Sequence, residues 1–353
     1  MSSTQKNDPP FKGIGIHDGP GISELGIDVS IWDISPNNVK QALSNTPEGG
    51  KQSGKIDGFN DIAEFCNSLS NEETKVLLFS ITHGNPADQV LEKLQDHLKE
   101  GYIILDGGNE HYRNMERRQE ALDKRGVAWI GMGASGGYQS ARRGLSLSPG
   151  GDKQAVQKVL PLLERFAAKA QSPEDMKESP CTAYIGPKGS GHYVKMVHNG
   201  IENGMLSALC EAWGIMKYCL EMQNDEIGKM FERWNTEGPL RSTYLIQIGA
   251  EICRRKKTSE GDGRGEGRRE GGHVLDDVLD KVVQEDDNTE GRGFWSVIEA
   301  AARHVSAPTI AARQFLRVAS GNRSKRLEVA LELISKASDA EAWGIDLATC
   351  IRI

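Results

Sequence analysis

The fold of this chain is decided by residues 76–105, which read VLLFSITHGNPADQVLEKLQDHLKEGYIIL. The runs at the two ends, 76–81 and 102–105, are short and almost entirely apolar, which is typical of strands buried on both faces. Between them, residues 88–99 have a helical pattern. Its apolar positions, three or four residues apart, are Val90, Leu91, Leu94 and Leu98. A strand, a helix and a strand in this order predict two parallel strands joined by a covering helix.

The same alternation continues on both sides of this unit. Residues 29–32 and 127–130 are further short apolar runs, and residues 109–124 have the pattern of a polar helix. Parallel sheets of this kind bind ligands at the carboxyl ends of their strands. Two such ends run into glycine, as DGGN at 106–109 and GMGASGG at 131–137. Because glycine lets backbone approach a ligand closely, we expect a binding cleft at this edge of the sheet.

Composition limits the classes of function. Lys and Arg number 43 against 50 Asp and Glu, a net charge of -7, which does not favour a nucleic-acid surface. No apolar run approaches the roughly 20 residues that a membrane span requires. The polar N-terminus lacks the apolar core of a secretory signal. The six cysteines form no C-x-x-C pair, so we expect reduced thiols in a cytoplasmic protein without a metal site.

The second half of the chain, from about residue 191, is predicted to be mostly helical. Apolar residues recur at three- and four-residue spacing over 205–222, 227–234, 245–252 and 274–283. The charged, glycine-rich stretch 254–272 is interpreted as a solvated loop, with a polyanion site as the alternative. We therefore predict an α/β class domain over residues 1–186, followed by an all-α domain over residues 187–353.

Residues 186–202 contain a third glycine-rich loop, GPKGSG, and continue into the helix HYVKMVHNGIE. At about 100° per residue, four polar residues share one face of this helix: Lys195, His198, Asn199 and Glu202. The lysine and the glutamate are about 10 Å apart along the axis, so they could reach opposite ends of one small substrate. The alternative for these two residues alone is a solvated ion pair. Gly200 within the helix indicates a close backbone approach.

Three stretches of the sequence resemble 6-phosphogluconate dehydrogenase: LDGGN at 105–109, GASGG at 133–137 and GHYVKMVHNGIE at 191–202. EAW at 211–213 and TEGRG at 289–293 continue the resemblance in order. It implies a Rossmann-like dinucleotide-binding domain and a helical domain. It also implies an oxidative decarboxylation of 6-phosphogluconate to ribulose 5-phosphate and carbon dioxide with reduction of NADP, within the pentose phosphate pathway and gluconate utilization.

The resemblance also assigns roles to residues by position. Lys195 is implied to be the general base for the substrate hydroxyl, and Glu202 the acid that protonates the enediol carbon after decarboxylation. The residues implied to bind substrate are Asn109, Ser135, Gly136, Gly137, His198, Asn199 and Arg317. Asn109 would also contact the nicotinamide. Arg317 corresponds to the arginine that pairs with the substrate phosphate, for which a guanidinium fork is well suited.

The nucleotide-binding end departs from the family pattern. Gly13 and Gly15 provide the G-x-G of a phosphate loop, but Asp18 beside a pyrophosphate would repel it. Ile34 stands where the resemblance implies an arginine for the extra phosphate of NADP. Asp33 could instead accept hydrogen bonds from a ribose, as in NAD enzymes, or serve only as a turn or cap residue. NADP is the expectation from the family, and NAD is the alternative.

Other departures concern the substrate phosphate and the assembly. Asn203 replaces a tyrosine of the family, and Glu290 lies near the position of a lysine. The family continues beyond Ile353 with a tail that completes the partner's site, so the resemblance implies a homodimer weakened by its absence. Apolar residues expected to be partly exposed as a result are Leu327, Val329, Leu331 and Leu333.

Two alternatives for the function stay open: a truncated paralogue that acts as a scaffold subunit, and a 2- or 3-hydroxyacid dehydrogenase.

Overall fold

A computed structural model describes residues 22–44, 54–69, 75–136, 144–171, 177–257, 272–278, 291–320 and 323–336. The chain divides into two compact units, and the boundary falls between His198 and Asn199. The predicted phosphate-loop residues Gly13 and Gly15 lie outside the described residues, as does Gly137.

The first unit is an α/β arrangement. Its strands are β1 (Val29–Trp32), β2 (Ile56–Phe59), β3 (Val76–Phe79), β4 (Ile103–Asp106), β5 (Ala128–Ser135), β6 (Ser146–Gly150), β7 (Lys169–Gln171) and β8 (Glu178–Pro180). Its helices are α1 (Pro36–Ser44), α2 (Ile62–Ser68), α3 (Asn85–Leu94), α4 (Tyr112–Asp123) and α5 (Lys153–Phe166). Strands β3, β4 and β5 are parallel neighbours, β6 pairs antiparallel with β5, and β1 pairs in parallel with β2.

The four-stranded sheet is covered on both faces, because successive residues of a strand point to opposite sides. In β3, Val76 and Leu78 pack in one core, whereas Leu77 and Phe79 pack in the other. Helix α5 contributes to the first core, and α3 and α4 contribute to the second. This layered arrangement confirms the α/β class predicted from the alternation of strands and helices.

Four strands of the first unit, β2, β6, β7 and β8, have no counterpart in the sequence prediction. Of these, β2 and β6 read IDGF and SLSPG, so polar residues, glycine and proline interrupt the apolar pattern. Each forms because a neighbour supplies its hydrogen bonds, β1 for β2 and β5 for β6. The antiparallel β6 is also an exception to the parallel sheet that the strand–helix alternation predicts.

Element bounds differ from the prediction at the glycine-rich ends. The fourth predicted strand ends at Ile130, but β5 continues to Ser135 because its glycine-rich half pairs with β6. The helix predicted over 88–99 begins earlier, at Asn85, directly after Gly84 with a φ of 83°. That left-handed conformation favours glycine, so Gly84 marks the change from loop to helix.

Helix α6 (Ser190–Gly214) carries the chain from the first unit into the second and ends in a π-helical turn, Ile215–Cys219. The remaining helices are α7 (Asn224–Thr236), α8 (Tyr244–Arg254), α9 (Arg292–Ala302), α10 (Pro308–Ser320) and α11 (Arg323–Lys336), with 3₁₀ turns at Gly238–Leu240 and Val274–Asp277. The second unit is therefore helical, as predicted. Its core joins the end of α6 to α7 and α8.

Of two further predictions for the second unit, one is wrong and the other falls mostly outside the described residues. The helix predicted over 274–283 is wrong for its described part, which is a 3₁₀ turn that ends at Asp277. Most of the predicted loop 254–272 lies outside the described residues, although Lys256 forms a backbone bridge with His273.

Val329 and Leu331 are about half exposed, as expected for that face of α11. No described helix is long and apolar enough to cross a membrane.

Candidate active site

Glycines let the first turn of α6 press directly against strands β5 and β6. A Cβ atom on Gly191 would lie 2.1 Å from the carbonyl oxygen of Gly131 and 2.2 Å from that of Ser148. A Cβ atom on Gly133 would lie 2.7 Å from both the Gly191 carbonyl oxygen and the Cβ of Lys195. The sequence interpretation is that glycines in these loops bring backbone close to a ligand, and that interpretation stays a prediction; at Gly131, Gly133 and Gly191 the structure shows a packing role. Their close neighbour is the protein itself.

This packing places Lys195 at the carboxyl end of β5. Its Nζ donates a hydrogen bond to Oγ of Ser135, the last residue of the strand, over 2.7 Å. Only 8% of Lys195 is exposed, so few water molecules compete for its amine. The next residue, Gly136, has a φ of 148°, which a side chain rarely adopts. The structure thus brings two predicted site residues, Lys195 and Ser135, into direct contact across 60 positions of sequence.

The loop that carries Asn109 is fixed by buried groups on both sides of Gly108. Oδ1 of Asp106, the last residue of β4, accepts a hydrogen bond from the Gly108 amide over 2.9 Å. The carbonyl oxygen of Gly108 lies 3.0 Å from Nε2 of His192 in α6. A carbonyl oxygen only accepts, so Nε2 of His192 carries the hydrogen. Asn109 follows directly and is half-buried.

Only glycine fits at position 108, because a Cβ there would lie 2.4 Å from the carbonyl oxygen of Ile81. Asp106 is 3% exposed, and burial raises the pKa of its carboxyl group to about 7, with the Gly108 amide and Arg118 opposing that shift. Among the described residues, its Oδ2 has no hydrogen-bond partner. The end of β4 therefore holds a carboxyl group that titrates near neutral pH.

A buried ionic cluster holds the other side of the Asn109 loop. The Arg118 guanidinium contacts Glu110 over 2.6 Å and Asp88 over 2.9 Å, and it donates to the Gly84 carbonyl oxygen over 2.8 Å. Its carbon centre lies 5.6 Å from the ring centre of Trp129. This cluster links the loop after β3, at Gly84, to the loop after β4, at Glu110.

The charges of this cluster are set by opposing effects. Burial raises the pKa of Glu110, but hydrogen bonds from Asn114, the Gly84 amide and Arg118 outweigh burial and hold that pKa below its ordinary value. Arg118 was not predicted as a site residue, because residues 109–124 have the pattern of a polar helix. A signal was present, because Met115 and Leu122 lie three and four residues away on the same helical face.

The remaining predicted residues lie further along α6 and in α10. His198 is exposed, and Asn199 and Glu202 are half-buried, one and two turns beyond Lys195. A Cβ on Gly200 would lie 2.7 Å from Oγ of Ser296 in α9, so this mid-helix glycine permits a close approach, as predicted. A half-buried arginine on α10, Arg317, keeps its phosphate role as a prediction.

The end of β1 partly fits a dinucleotide. Oδ1 of Asp33 accepts hydrogen bonds from the Ser35 amide over 2.7 Å and from Asn38 over 3.0 Å, which is the turn and cap role considered for it. Its second carboxylate oxygen remains chemically suited to a ribose hydroxyl. Ile34 is 70% exposed and cannot pair with a phosphate.

Within the described residues, no cluster of His, Cys, Asp or Glu could hold a metal ion.

Comparisons with known proteins match both halves of the chain. Residues 21–186 match the NAD binding domain of 6-phosphogluconate dehydrogenase, and residues 191–349 match the 6-phosphogluconate dehydrogenase C-terminal domain. The first match begins after Gly13 and Gly15, whose role in the phosphate loop therefore stays a prediction.

Individual relatives agree with these matches. A decarboxylating 6-phosphogluconate dehydrogenase of Emericella nidulans is 53% identical over 94% of this chain and 74% of that protein. An NAD(+)-dependent decarboxylating 6-phosphogluconate dehydrogenase of Bacillus subtilis is 35% identical over 84% of this chain and 59% of its own length. The solved Plasmodium falciparum 6-phosphogluconate dehydrogenase has a TM-score of 0.75 at 31% identity, over 92% of this chain and 64% of that one.

The chain thus spans about three quarters of one curated relative and about three fifths of another. Two consecutive domain matches and 53% identity to a curated relative establish that the chain belongs to the 6-phosphogluconate dehydrogenase family.

Proposed function

We propose that this chain oxidises and decarboxylates 6-phosphogluconate to ribulose 5-phosphate and carbon dioxide, with a nicotinamide dinucleotide as the hydride acceptor. The observation that carries the proposal is the contact between Lys195 and Ser135 at the end of β5. It places a buried amine beside a hydroxyl at the edge where α/β sheets bind ligands. The reaction would contribute to the pentose phosphate pathway and gluconate utilization.

The first step needs a base at the substrate hydroxyl. Lys195, as the neutral amine, accepts the hydroxyl proton while the hydride leaves the same carbon for the nicotinamide ring, which supplies the oxidising chemistry when bound. Ser135 accepts a hydrogen bond from Lys195 and can also donate one, because a hydroxyl group rotates to suit its partner. It can therefore orient the amine before and after proton transfer.

The second step needs an acid at a different atom. Loss of carbon dioxide from the oxidised sugar acid leaves an enediol, and Glu202 protonates its carbon. Glu202 lies seven residues after Lys195 on one helix, an axial separation of about 10 Å. That spacing supports separate roles for the two groups, at opposite ends of one sugar acid. His198 and Asn199, between them on α6, and the backbone of Gly136 and Gly137 would bind the substrate.

We infer that NADP is accepted but that NAD competes better than it does in family members with an arginine at position 34. The Plasmodium falciparum relative was solved with NADP+, whereas the Bacillus subtilis relative is NAD(+)-dependent. Here Ile34 offers no charge to a 2′-phosphate, and Asp33 offers a carboxylate to a ribose. Asn109 would contact the nicotinamide, and Gly13 and Gly15 the pyrophosphate.

The substrate phosphate and the assembly complete the proposal. Arg317 would pair with the substrate phosphate through its planar guanidinium.

We also infer a homodimer acting in the cytoplasm. The second unit supports a dimer because several of its large apolar side chains are exposed, including Phe294 at 55% and Phe315 at 68%. Sedimentation velocity would show a species near twice 38.6 kDa if this inference holds; a monomer at micromolar concentration would refute it.

The proposed activity is tested by following absorbance of the reduced nicotinamide with 6-phosphogluconate and either NADP or NAD. We expect turnover with both dinucleotides, with carbon dioxide and ribulose 5-phosphate formed in equal amounts. Gluconate without the phosphate is the matched control, and it should react far more slowly. Absence of turnover with both dinucleotides would contradict the proposal, and strict NADP dependence would contradict the inference from Ile34.

A further inference from the structure

His192 is a buried histidine that the proposed reaction does not use. It lies in the first turn of α6, three residues before Lys195, and is 2% exposed. Its ring packs against β5, since a Cβ on Gly131 would lie 2.7 Å from Nδ1 and 3.4 Å from Cε1. The side chain that crosses from the helix to the sheet therefore has little freedom to move.

The acceptor of the His192 hydrogen bond is the backbone next to Asn109. Gly108 has its amide bound by Asp106 and its carbonyl oxygen bound by His192, over 2.9 and 3.0 Å. The preceding residue, Gly107, donates its amide to the Phe79 carbonyl oxygen over 2.8 Å. Hydrogen bonds from Gly107 and Gly108 thus hold the loop to β3 and β4. The imidazole of His192 holds the same loop to α6.

The residue after Asn109 is also held in place. Glu110 is 4% exposed and receives hydrogen bonds from Arg118 over 2.6 Å and from the Gly84 amide over 2.9 Å. Asn109 therefore lies between Gly108, whose backbone is bound on both sides, and Glu110, whose carboxylate is bound. The hydrogen bond from His192 connects Gly108 directly to α6, the helix that carries Lys195, and an edge contact between the rings of Tyr112 and Tyr193, 5.2 Å apart, joins the start of α4 to the same helix.

We propose that His192 is a positioning residue, whose hydrogen bond to Gly108 sets the distance between Asn109 on the sheet loop and Lys195 on the helix. This inference rests on the proposed function, because those two residues hold the nicotinamide and the substrate hydroxyl there. Hydride transfer is sensitive to such spacing: a displacement of about 1 Å can cost on the order of 100-fold in rate.

Two variants separate the hydrogen bond from the volume of the ring. His192→Phe keeps a planar ring but loses the donor, whereas His192→Gln places an amide N–H near the position of Nε2. We expect His192→Phe to lower kcat by about 10- to 100-fold, with the KM for 6-phosphogluconate changed less than about threefold. His192→Gln should recover most of kcat.

The deciding readout is the deuterium isotope effect on kcat with 6-phosphogluconate labelled at carbon 3. Misplacement of the reacting groups slows hydride transfer itself, so the isotope effect should rise in His192→Phe and return toward the wild-type value in His192→Gln. Circular dichroism and the thermal midpoint report whether each variant is folded. A folded His192→Phe with wild-type kcat and isotope effect would overturn the proposal, as would a His192→Gln as slow as His192→Phe.

A second measurement does not depend on variants or turnover. Nuclear magnetic resonance of the ¹⁵N-histidine-labelled wild-type protein should show His192 with its hydrogen on Nε2. An Nδ1–H tautomer would overturn the proposed hydrogen bond. If the wild-type protein keeps the Nε2–H signal but does not turn over 6-phosphogluconate, the proposed function fails, and the assigned tautomer stands.

Discussion

At the level of single residues, the pKa of Asp106, at the end of β4, is set by effects that oppose each other. Asp106 is almost fully buried, which disfavours its charged form, yet it accepts a hydrogen bond that favours that form. Burial is the larger effect and raises the pKa to about 7, while Glu110 adds to the shift and Arg118 opposes it. A residue that shapes the Asn109 loop therefore changes its charge near neutral pH.

This pKa predicts a pH dependence of stability. In the unfolded chain Asp106 should titrate near its ordinary pKa of about 3.9, so the folded state binds more protons between about pH 4 and pH 7. Stability should then fall as pH rises through this range and level off above about pH 7, by a few kcal/mol in order of magnitude. Asp106→Asn can keep the acceptor for Gly108 but removes the titration.

The measurement is the urea midpoint of the wild-type protein and of Asp106→Asn at pH 5, 6, 7 and 8. The difference between the two midpoints should change in favour of the variant as pH rises. Glu110 and Asp88, with lowered pKa values, lose their favourable contribution only at lower pH, so they do not produce this trend. Parallel curves for the two proteins would contradict the raised pKa of Asp106.

At the level of elements, the contact of α6 with β5 and β6 determines where Lys195 lies. Gly133 and Gly191 remove the side chains that would separate the helix from the strands. The sequence predicts the helix from its face of polar residues at helical spacing and the start of the strand from the apolar run 127–130, although β5 extends to Ser135. It does not predict that Gly133 serves the packing of α6, because the contact joins residues about 60 positions apart.

Substitution of Gly133 by alanine tests this contact. The added Cβ would lie 2.7 Å from Lys195 Cβ and from the Gly191 carbonyl oxygen, so the helix must shift. We expect a loss of about 1–3 kcal/mol of stability and a lower kcat. Gly214→Ala at the end of α6 is the matched control, since a Cβ there meets nothing within 4 Å. Equal thermal midpoints for the two variants would count against tight packing at Gly133.

At the level of the whole molecule, the sequence predicts the family and the order of the two domains better than it predicts the site. The string from Gly191 to Glu202 and the DGGN stretch carry the resemblance that the comparisons confirm. The buried Arg118 cluster and the bond from His192 to Gly108 were not predicted. Both depend on partners brought together only by folding, such as Asp88 and Arg118, which are 30 residues apart.

Helix α6 runs without a break from Lys195 to Glu202. If these two residues act as the proposed base and acid, their separation along the axis, about 10 Å, follows from the helix itself. The scaffold alternative would need no such spacing, and neither the described residues nor the comparisons favour it.

The central proposal is that the amine of Lys195 removes the proton that allows hydride transfer. Lys195→Met keeps the length of the side chain and removes the amine, and Lys229→Met, an exposed residue on α7, is the control. With 6-phosphogluconate and NADP, we expect reduced dinucleotide to form at least about 100-fold more slowly in Lys195→Met, while calorimetry still detects substrate binding. Wild-type rates in a folded Lys195→Met would contradict the assignment of Lys195 as the base.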